Sequence, residues 1–458
     1  MSGYLFAVMA LGAFIIAFFG TRRAAATNNN VSLEGKAHSR PIYHGINAAI
    51  WTGVPAFVFL LLWLMGKDGI INQLVLASFP GAEAMTGPER SLLISEIRQV
   101  FAGNIFKEPS PEVLAAVEHL RNLTQIASLA VIAVVATLMT VGAFFGLKVI
   151  GVRYRARHSV ERAITVFMMF SSVVAVLTTA GIVFSLFYEA MQFFAKVPVT
   201  EFLFGLRWEP QIAMRPDQVA GQGAFGMLPV LFGTFVISAL AMAVAVPTGI
   251  LSAVYLTEYA NPRFRAFAKP LLEILAGIPT VVYGFFAVLT VAPAIRALAM
   301  SVGIDAAPNS AFAAGAVMGV MLIPFISSLS DDAFAAVPRA MREGSYALGA
   351  TKGETIRKVL LPAALPGIVG GVLLALSRAV GETMIVVMAA GLIAKMTINP
   401  LDAVTTVTVQ IVTLLIGDSE FDNPKTLAAF ALGLVLFIIT LGLNLIALHT
   451  VRKYREKY

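Results

Sequence analysis

Apolar residues run along this chain in long unbroken blocks, separated by short polar segments rich in Arg, Lys, Gly and Pro. A block of about 20 apolar residues is long enough to cross a bilayer as a helix. Continuity, rather than alternation with a period of two, selects helices over barrel strands. Nine blocks predict nine spans, at roughly 4–20, 46–66, 124–150, 163–194, 227–256, 271–298, 311–332, 365–393 and 427–449. The fourth and fifth are long enough to tilt or to include an interfacial turn. The expected fold is an all-α polytopic membrane protein.

Composition supports this reading. The 458 residues are 58% hydrophobic and 13% charged, whereas soluble domains are about 25% charged. The net charge of +7 is the sign a nucleic-acid partner would need, but basic inner loops of a membrane protein account for it and no nucleic acid is expected. The absence of cysteine excludes disulfides and thiolate metal sites. His38, His44, His119, His158 and His449 are scattered without metal-ligand spacing, so no metal is assigned.

Charge also orients the chain. No basic residue precedes the first block, while Arg22 and Arg23 follow it, which predicts an uncleaved helix with its N-terminus outside. The inner segments are then 21–45, 148–162, 257–270, 334–364 and 450–458, and they hold 21 of the 33 Lys and Arg residues. That bias supports an outer N-terminus and an inner C-terminus. The basic linker Gly151–Arg162 separates three leading spans from six trailing ones, so the main division is placed there, as 1–160 and 161–458. Within the outer loop 67–122, Ser91–Phe101 and Pro111–Leu123 read as short amphipathic helices. The stretch Ala24–Arg40 is polar, and no tandem repeat is evident.

One inner loop carries more pattern than a connector needs. It runs from Glu343 to Pro362. Glu343–Leu348 predicts a short helix, Gly349 a positive-φ turn, and Thr351–Leu360 a second helix with Ile356, Val359 and Leu360 on one face. Leu361-Pro362 is expected to stop that helix and redirect the chain into the eighth span. The spacing of Glu343, Gly344-Ser345, Gly349, Val359 and Leu361-Pro362 resembles the EAA loop of bacterial ABC-importer permeases, with Gly-Ser in place of the usual Ala-Ala. In that family the loop seats a coupling helix in a groove of a separate ATPase. No G-x-x-x-x-G-K-[ST] phosphate loop occurs in the chain, so any nucleotide site belongs to another polypeptide.

The eighth span holds Arg378 and Glu382. A charge at mid-bilayer costs about 2.5–3.5 kcal/mol on insertion scales, so it normally faces a cavity or a partner. Spacing of four would place the two on one helical face within ion-pair reach. Arg then Glu is the weaker order for helix support. A structural pair holding helices together is one reading; an anion site is the other, since a guanidinium matches oxyanion geometry and stays charged when buried.

The stretch Ser377-Arg378-Ala-Val-Gly381-Glu382-Thr383-Met384 resembles the R-x-x-G-E-T-M segment of the phosphate-specific transport (Pst) permeases, PstC type. Phe225–Thr234, Val254–Ala260 and Leu272–Gly284 add to the resemblance, which covers about 161–458. It implies a type I, MetI-like importer core of six spans preceded by three. It also implies phosphate as cargo, with Arg378 as anion contact and Glu382 as its counter-charge. The implied partners are a PstA-type permease, a PstB-type ATPase dimer that uses ATP and Mg, and a PstS-type external phosphate-binding protein, all at the cytoplasmic (inner) membrane and in contact with membrane lipid. The chain itself would bind no cofactor and would not be an enzyme. The alternatives are another oxyanion, such as sulfate or molybdate, or a non-ABC channel or scaffold.

Other features have plainer readings. Glu273 is expected near the cytoplasmic end of the sixth span, and Pro247 and Pro279 could kink helices. Gly142/Gly146, Gly315/Gly319 and Gly367/Gly371 fit close helix packing. Asp331 and Asp332 are expected to cap or to face solvent. Phe202–Gly223, with Trp208, is either a docking face for the binding protein or an aromatic anchor at the interface.

Overall fold

The structure, a computed structural model of the chain, describes residues 2–29, 38–82, 85–104, 109–211, 223–416 and 423–454. Part of the polar stretch Ala24–Arg40 and most of the segment after Pro210 therefore lie outside the described residues. The described residues contain nine helices long and apolar enough to cross a membrane. The chain forms two compact units, Met1–Leu177 and Thr178–Tyr458.

The first unit is built from α1 (Ser2–Asn29), α2 (Pro41–Ser78), α3 (Gly87–Phe101) and α4 (Pro111–Lys148). At 38 residues each, α2 and α4 run about 57 Å, well beyond a hydrocarbon core of about 30 Å. Pro111–Leu123 is therefore the first third of the third span's helix, not a separate one. α3 packs on the overhang through Ile71, Val75, Ile97, Val113 and Leu120. A Thr86–Glu89 capping box starts α3, and the Thr86 amide holds the Glu89 carboxyl below its usual range. Deeper in the unit, α4 lies directly on α2: a Cβ at Gly146 would fall 2.7 Å from the Ala48 Cα, and one at Gly142 would enter the Trp51 carbonyl. The glycine pair thus lets two backbones touch.

The long α5 (Ala156–Lys196) crosses the division between the units. The second unit continues with α6 (Val199–Phe204), a two-residue ribbon of β1 (Trp208–Glu209) and β2 (Ala224–Phe225), and α7 (Leu228–Val254). Next come α8 (Pro262–Ala276), α9 (Thr280–Phe286), α10 (Ala292–Ser301), α11 (Ala311–Ala335) and α12 (Arg339–Ala347). The chain closes with α13 (Lys352–Thr355), α14 (Leu361–Val380), α15 (Met384–Ala389), α16 (Val407–Leu415) and α17 (Pro424–Tyr454). Parallel α7 and α11, whose contacts advance together from Leu240 with Gly315 to Gly249 with Ile326, form the centre, where Ile237, Ala241, Ala245, Met318 and Leu322 are buried. Gly315 and Gly319 sit against Leu240 and Val244 of α7, and Gly367 and Gly371 of α14 against Ala333 and Leu329 of α11.

Two predicted spans change shape. The sixth, expected at 271–298, starts instead at Thr280: Gly277-Ile278-Pro279 separates it from α8, an amphipathic helix with no buried residue. Pro279 is the N-cap of α9 rather than a kink within a span, and Glu273 belongs to α8. The eighth, expected at 365–393, starts earlier and stops earlier, as Lys352–Val380. Leu361-Pro362 does not end a helix. The preceding residues Ile356–Leu360 form a π-turn in which the Leu361 amide reaches back to the Ile356 carbonyl. Pro362 has no amide to give, and in an α-helix its ring would press on the carbonyl four residues back. The wider π-turn absorbs that defect and keeps the helix whole. The same device, Ala287–Val291 two residues ahead of Pro293, holds α9 and α10 together.

Candidate functional site: a coupling loop and a broken helix

At the loop Glu343–Pro362, α12 takes Pro338 as its N-cap and buries no residue. It closes in a Schellman motif: the Ala350 amide donates to the Ser345 carbonyl and the Gly349 amide to the Tyr346 carbonyl. Gly349 takes φ +82°, a conformation that costs an L-residue roughly 1–2 kcal/mol. A capping box follows at once, Thr351 accepting from the Glu354 amide while Glu354 accepts from the Thr351 amide. The Thr-x-x-Glu spacing was a readable signal for that second start.

Both sides of the loop are anchored. Ile356 and Leu360 are buried with Ala253, Phe334 and Val337, and Val359 is half-buried. Ser345 and Thr355 share a 2.9 Å hydroxyl contact. Arg342 reaches Glu258, itself buried, at 2.6 Å. Periodicity gave no hint of that pair, because 84 residues separate its members. Glu343 and Gly344 are exposed, Leu348 is 90% exposed, and Pro362 faces outward. An amphipathic helix thus presents an apolar tip that no described residue covers.

Close by, Asp331 overturns the expectation that it caps or faces solvent. Its side chain is 8% exposed and takes Arg265 at 2.8 Å, Lys269 at 2.6 Å and the Thr257 hydroxyl at 2.7 Å. The Asp331 hydrogen bond raises the Lys269 ammonium above its ordinary range. The cluster pins the otherwise unburied α8 to α11, and lines a cavity of about 220 Å³ with Glu273, Pro324 and Phe325.

Arg378 and Glu382 are not ion-paired. α14 ends at Val380, with the Gly381 and Glu382 amides closing tight turns onto the Arg378 and Ala379 carbonyls. A spacing of four therefore no longer means one turn of one helix. Glu382 folds forward instead, its Oε1 accepting the Met384 amide at 3.1 Å. Arg378 is exposed, its guanidinium carbon 6.0 Å from the Phe325 ring centre.

The broken end is held by the segment after it. The chain leaves α15, turns at Gly391 (φ +102°) and runs without helix to Thr406, where α16 begins. The Thr408 hydroxyl donates to the Glu382 carbonyl at 2.8 Å. The Val407 amide donates to the Thr234 hydroxyl on α7 at 3.0 Å. Gln410 accepts from the Trp208 indole at 2.8 Å and donates to the Thr405 hydroxyl at 3.1 Å. Trp208 is thus a buried strut rather than an aromatic anchor at the interface. A helix opened inside the membrane zone needs such partners for its freed backbone groups.

Comparison with known proteins agrees with this architecture. Residues 245–456 match the family described as "Binding-protein-dependent transport system inner membrane component". Residues 4–178 match one described as "Phosphate ATP-binding cassette transporter". A "Probable ABC transporter permease protein YqgH" of Bacillus subtilis is 37% identical over 240 residues, 52% of this chain and 74% of that protein. A "Phosphate transport system permease protein PstC" of Mesorhizobium japonicum is 35% identical over 235 residues, 47% of this chain and 70% of that protein. A bacterial ABC transporter involved in the import of alginate superposes on 66% of this chain and 100% of its own, at 16% identity and a TM-score of 0.45. The fold is that of a multi-pass helical membrane protein in which residues 245–456 form the binding-protein-dependent transport component. Within that class, the chain belongs to the PstC-type family of phosphate transport permeases.

Proposed function

We propose that this chain is the translocation subunit of an ATP-driven phosphate importer, with Arg378 as the anion contact and Glu343–Pro362 as the grip on a separate ATPase. One observation carries the reading: a single continuous helix, Lys352–Val380, joins the two. Its inner end is the coupling loop. Its far end, about 40 Å away by helix rise, carries an exposed arginine where the helix breaks. Movement imposed on Glu343, Gly344 and Ser345 of α12 passes the turn at Gly349, which the Ser345–Thr355 contact braces, and then runs through Val359, Leu361 and Pro362 to the arginine within one helix. Two such loops drawn together by closing ATPases would tilt their helices as rigid bodies.

An exposed arginine at membrane depth needs a water-filled path, an anion or a partner charge. Phosphate oxygens match its planar fork. Glu382 shapes the break by tying down the Met384 amide and remains a candidate counter-charge. The partners in this reading are a PstA-type permease, a PstB-type ATPase dimer holding ATP and Mg, and a PstS-type binding protein. Hydrolysis takes place on the ATPase. The N-terminus is outside and the C-terminus in the cytoplasm. We place the division at 160/161, within the first turns of α5, because α5 is the first of the six core spans.

Phosphate uptake by the intact importer tests the pathway. Arg378→Ala removes a charged hydrogen-bond donor worth about 1.5–3 kcal/mol, and uptake should fall roughly tenfold or more. Arg378→Lys should recover part of it, and Glu382→Gln should change uptake. Wild-type rates in all three would overturn the assignment. Gly349→Asp should abolish recovery of an ATPase with the chain; unchanged recovery would remove the coupling role, and no recovery even with wild type would favour a channel or scaffold.

A further inference from the structure

The first unit contains a cavity of about 480 Å³ among α1, α2, α3 and α4. Its deep wall is apolar, formed by Leu5, Leu60, Leu64 and Val131. Those residues belong to three helices apolar enough to span a membrane, so this wall lies at hydrocarbon depth. The hydroxyls that also line the cavity, Thr124 and Ser128, already donate to the Leu120 and Gln125 carbonyls of their own helix, so the wall offers water little to bind. A bilayer supplies one material that fits such a slot, an acyl chain.

The mouth has the opposite character. Lys67, Asp68 and Arg98 line it one turn beyond Trp63. Arg98 is already committed, bonding Asp68 at 3.0 Å and the Asn72 amide oxygen at 3.1 Å. The charges of Arg98 and Asp68 therefore cancel. Lys67 is half-buried and makes no hydrogen bond or ion pair among the described residues, so the mouth carries one uncompensated positive charge. A tryptophan beside a lysine at the end of an apolar wall is the pattern of the membrane–water interface.

We propose that this cavity is a binding site for one anionic phospholipid, an acyl chain lying along Leu60, Leu64 and Val131 and the headgroup phosphate on Lys67. In the orientation given above, the lipid comes from the outer leaflet. The site lies wholly within the first unit.

Native mass spectrometry of the full-length chain, purified in the complex it forms, tests this with two probes: phosphatidylglycerol, and a diacylglycerol that lacks the phosphate. One phosphatidylglycerol should be retained per copy of the chain. Lys67→Glu should weaken phosphatidylglycerol retention roughly tenfold while leaving diacylglycerol retention nearly unchanged. Ala127→Trp, which fills the cavity from α4, should remove both. Lys67→Gln, a change too mild to unfold the unit, should give an intermediate loss. Equal retention of the two probes, or retention unaffected by Lys67→Glu and Ala127→Trp, would overturn the site.

Discussion

The two units use the same material, apolar helix, in different ways. In Met1–Leu177 the helices run unbroken for up to 38 residues and meet along small residues such as Gly45, Gly142 and Gly146. In Thr178–Tyr458 the helices are interrupted: π-turns at Tyr255–Tyr259, Ala287–Val291 and Ile356–Leu360, breaks at Gly277–Pro279 and Gly381–Thr383, and a non-helical run to Thr406. Breaks leave backbone groups that something else must satisfy: Thr408, Thr234 and Gln410 do so around Gly381–Thr383 and the run after it, and the Tyr283 hydroxyl donates to the Leu275 carbonyl ahead of Gly277–Pro279. Evenly made helices suit a scaffold. Helices that are opened and then bound up again expose backbone and charge inside the membrane, which is where a transport path is built.

The comparison can be broken most sharply at Asp331. Asp331→Ala leaves Arg265 and Lys269 facing a buried void and should destabilise the second unit by about 3 kcal/mol, the low end for a broken buried pair because both cations are over a third exposed. Thermal unfolding of the purified complex reads this, and Asp331→Asn, which keeps the Thr257 contact, should lose less. If both variants melt like wild type, α8 is held by other means.

The matching test in the first unit is Gly142→Leu. Its side chain would collide with the Trp51 backbone, and overpacking of this kind costs about 1–3 kcal/mol. Stability should fall while phosphate uptake per assembled complex stays near wild type. Uptake that falls in step with stability would erase the functional contrast between the units.

A smaller effect is expected at Thr408. Thr408→Val removes the donor to the Glu382 carbonyl, a loss of about 1 kcal/mol, and uptake should drop several-fold without loss of ATPase binding. Thr408→Ser should restore it. An unaltered rate in Thr408→Val would mean that the break at Gly381–Thr383 holds itself.

The smallest effect concerns the run between α15 and α16. Asp402 is drawn below the usual carboxylate range by the Lys395 ammonium at 2.9 Å and then by the Thr397 hydroxyl at 2.8 Å. A depressed carboxylate contributes stability above its unfolded pKa of about 4, and that contribution fades as pH falls through the lower folded value. Amide exchange across 395–404, corrected for intrinsic rates, should be flat from neutral pH to about 5 and speed up only in stronger acid. Asp402→Asn should remove that dependence; exchange rising already at neutral pH would assign it to another group.

Much of this was readable from residue order. The nine spans follow from summed hydrophobicity, a local quantity that survives errors in detail. The shape of the loop Glu343–Pro362 was legible for the same reason: Gly349, its flanking helices and the Ile356–Leu360 face are local chemistry. The continuity of the helix across Pro362 was not. A proline after Leu361 reads as a stop, and the π-turn that defeats it depends on Ile356 and Leu360 being packed against Phe334 and Val337. The Arg378–Glu382 pair failed for a related reason. Spacing of four has meaning only inside one helix, and that helix ends at Val380.

The sequence by itself determined that the chain lives in a membrane, which segments are long and apolar enough to cross it and which family it resembles, because composition, charge bias and contiguous motifs carry those properties. Tertiary structure alone decided where helices open, that Asp331 is a buried counter-ion, that Trp208 is a strut and that Lys67 stands at a cavity mouth. Each of those rests on groups far apart in the chain, such as Thr408 with Glu382 or Asp331 with Arg265. The free energy that pairs them comes from desolvation and geometry that exist only once the helices are packed.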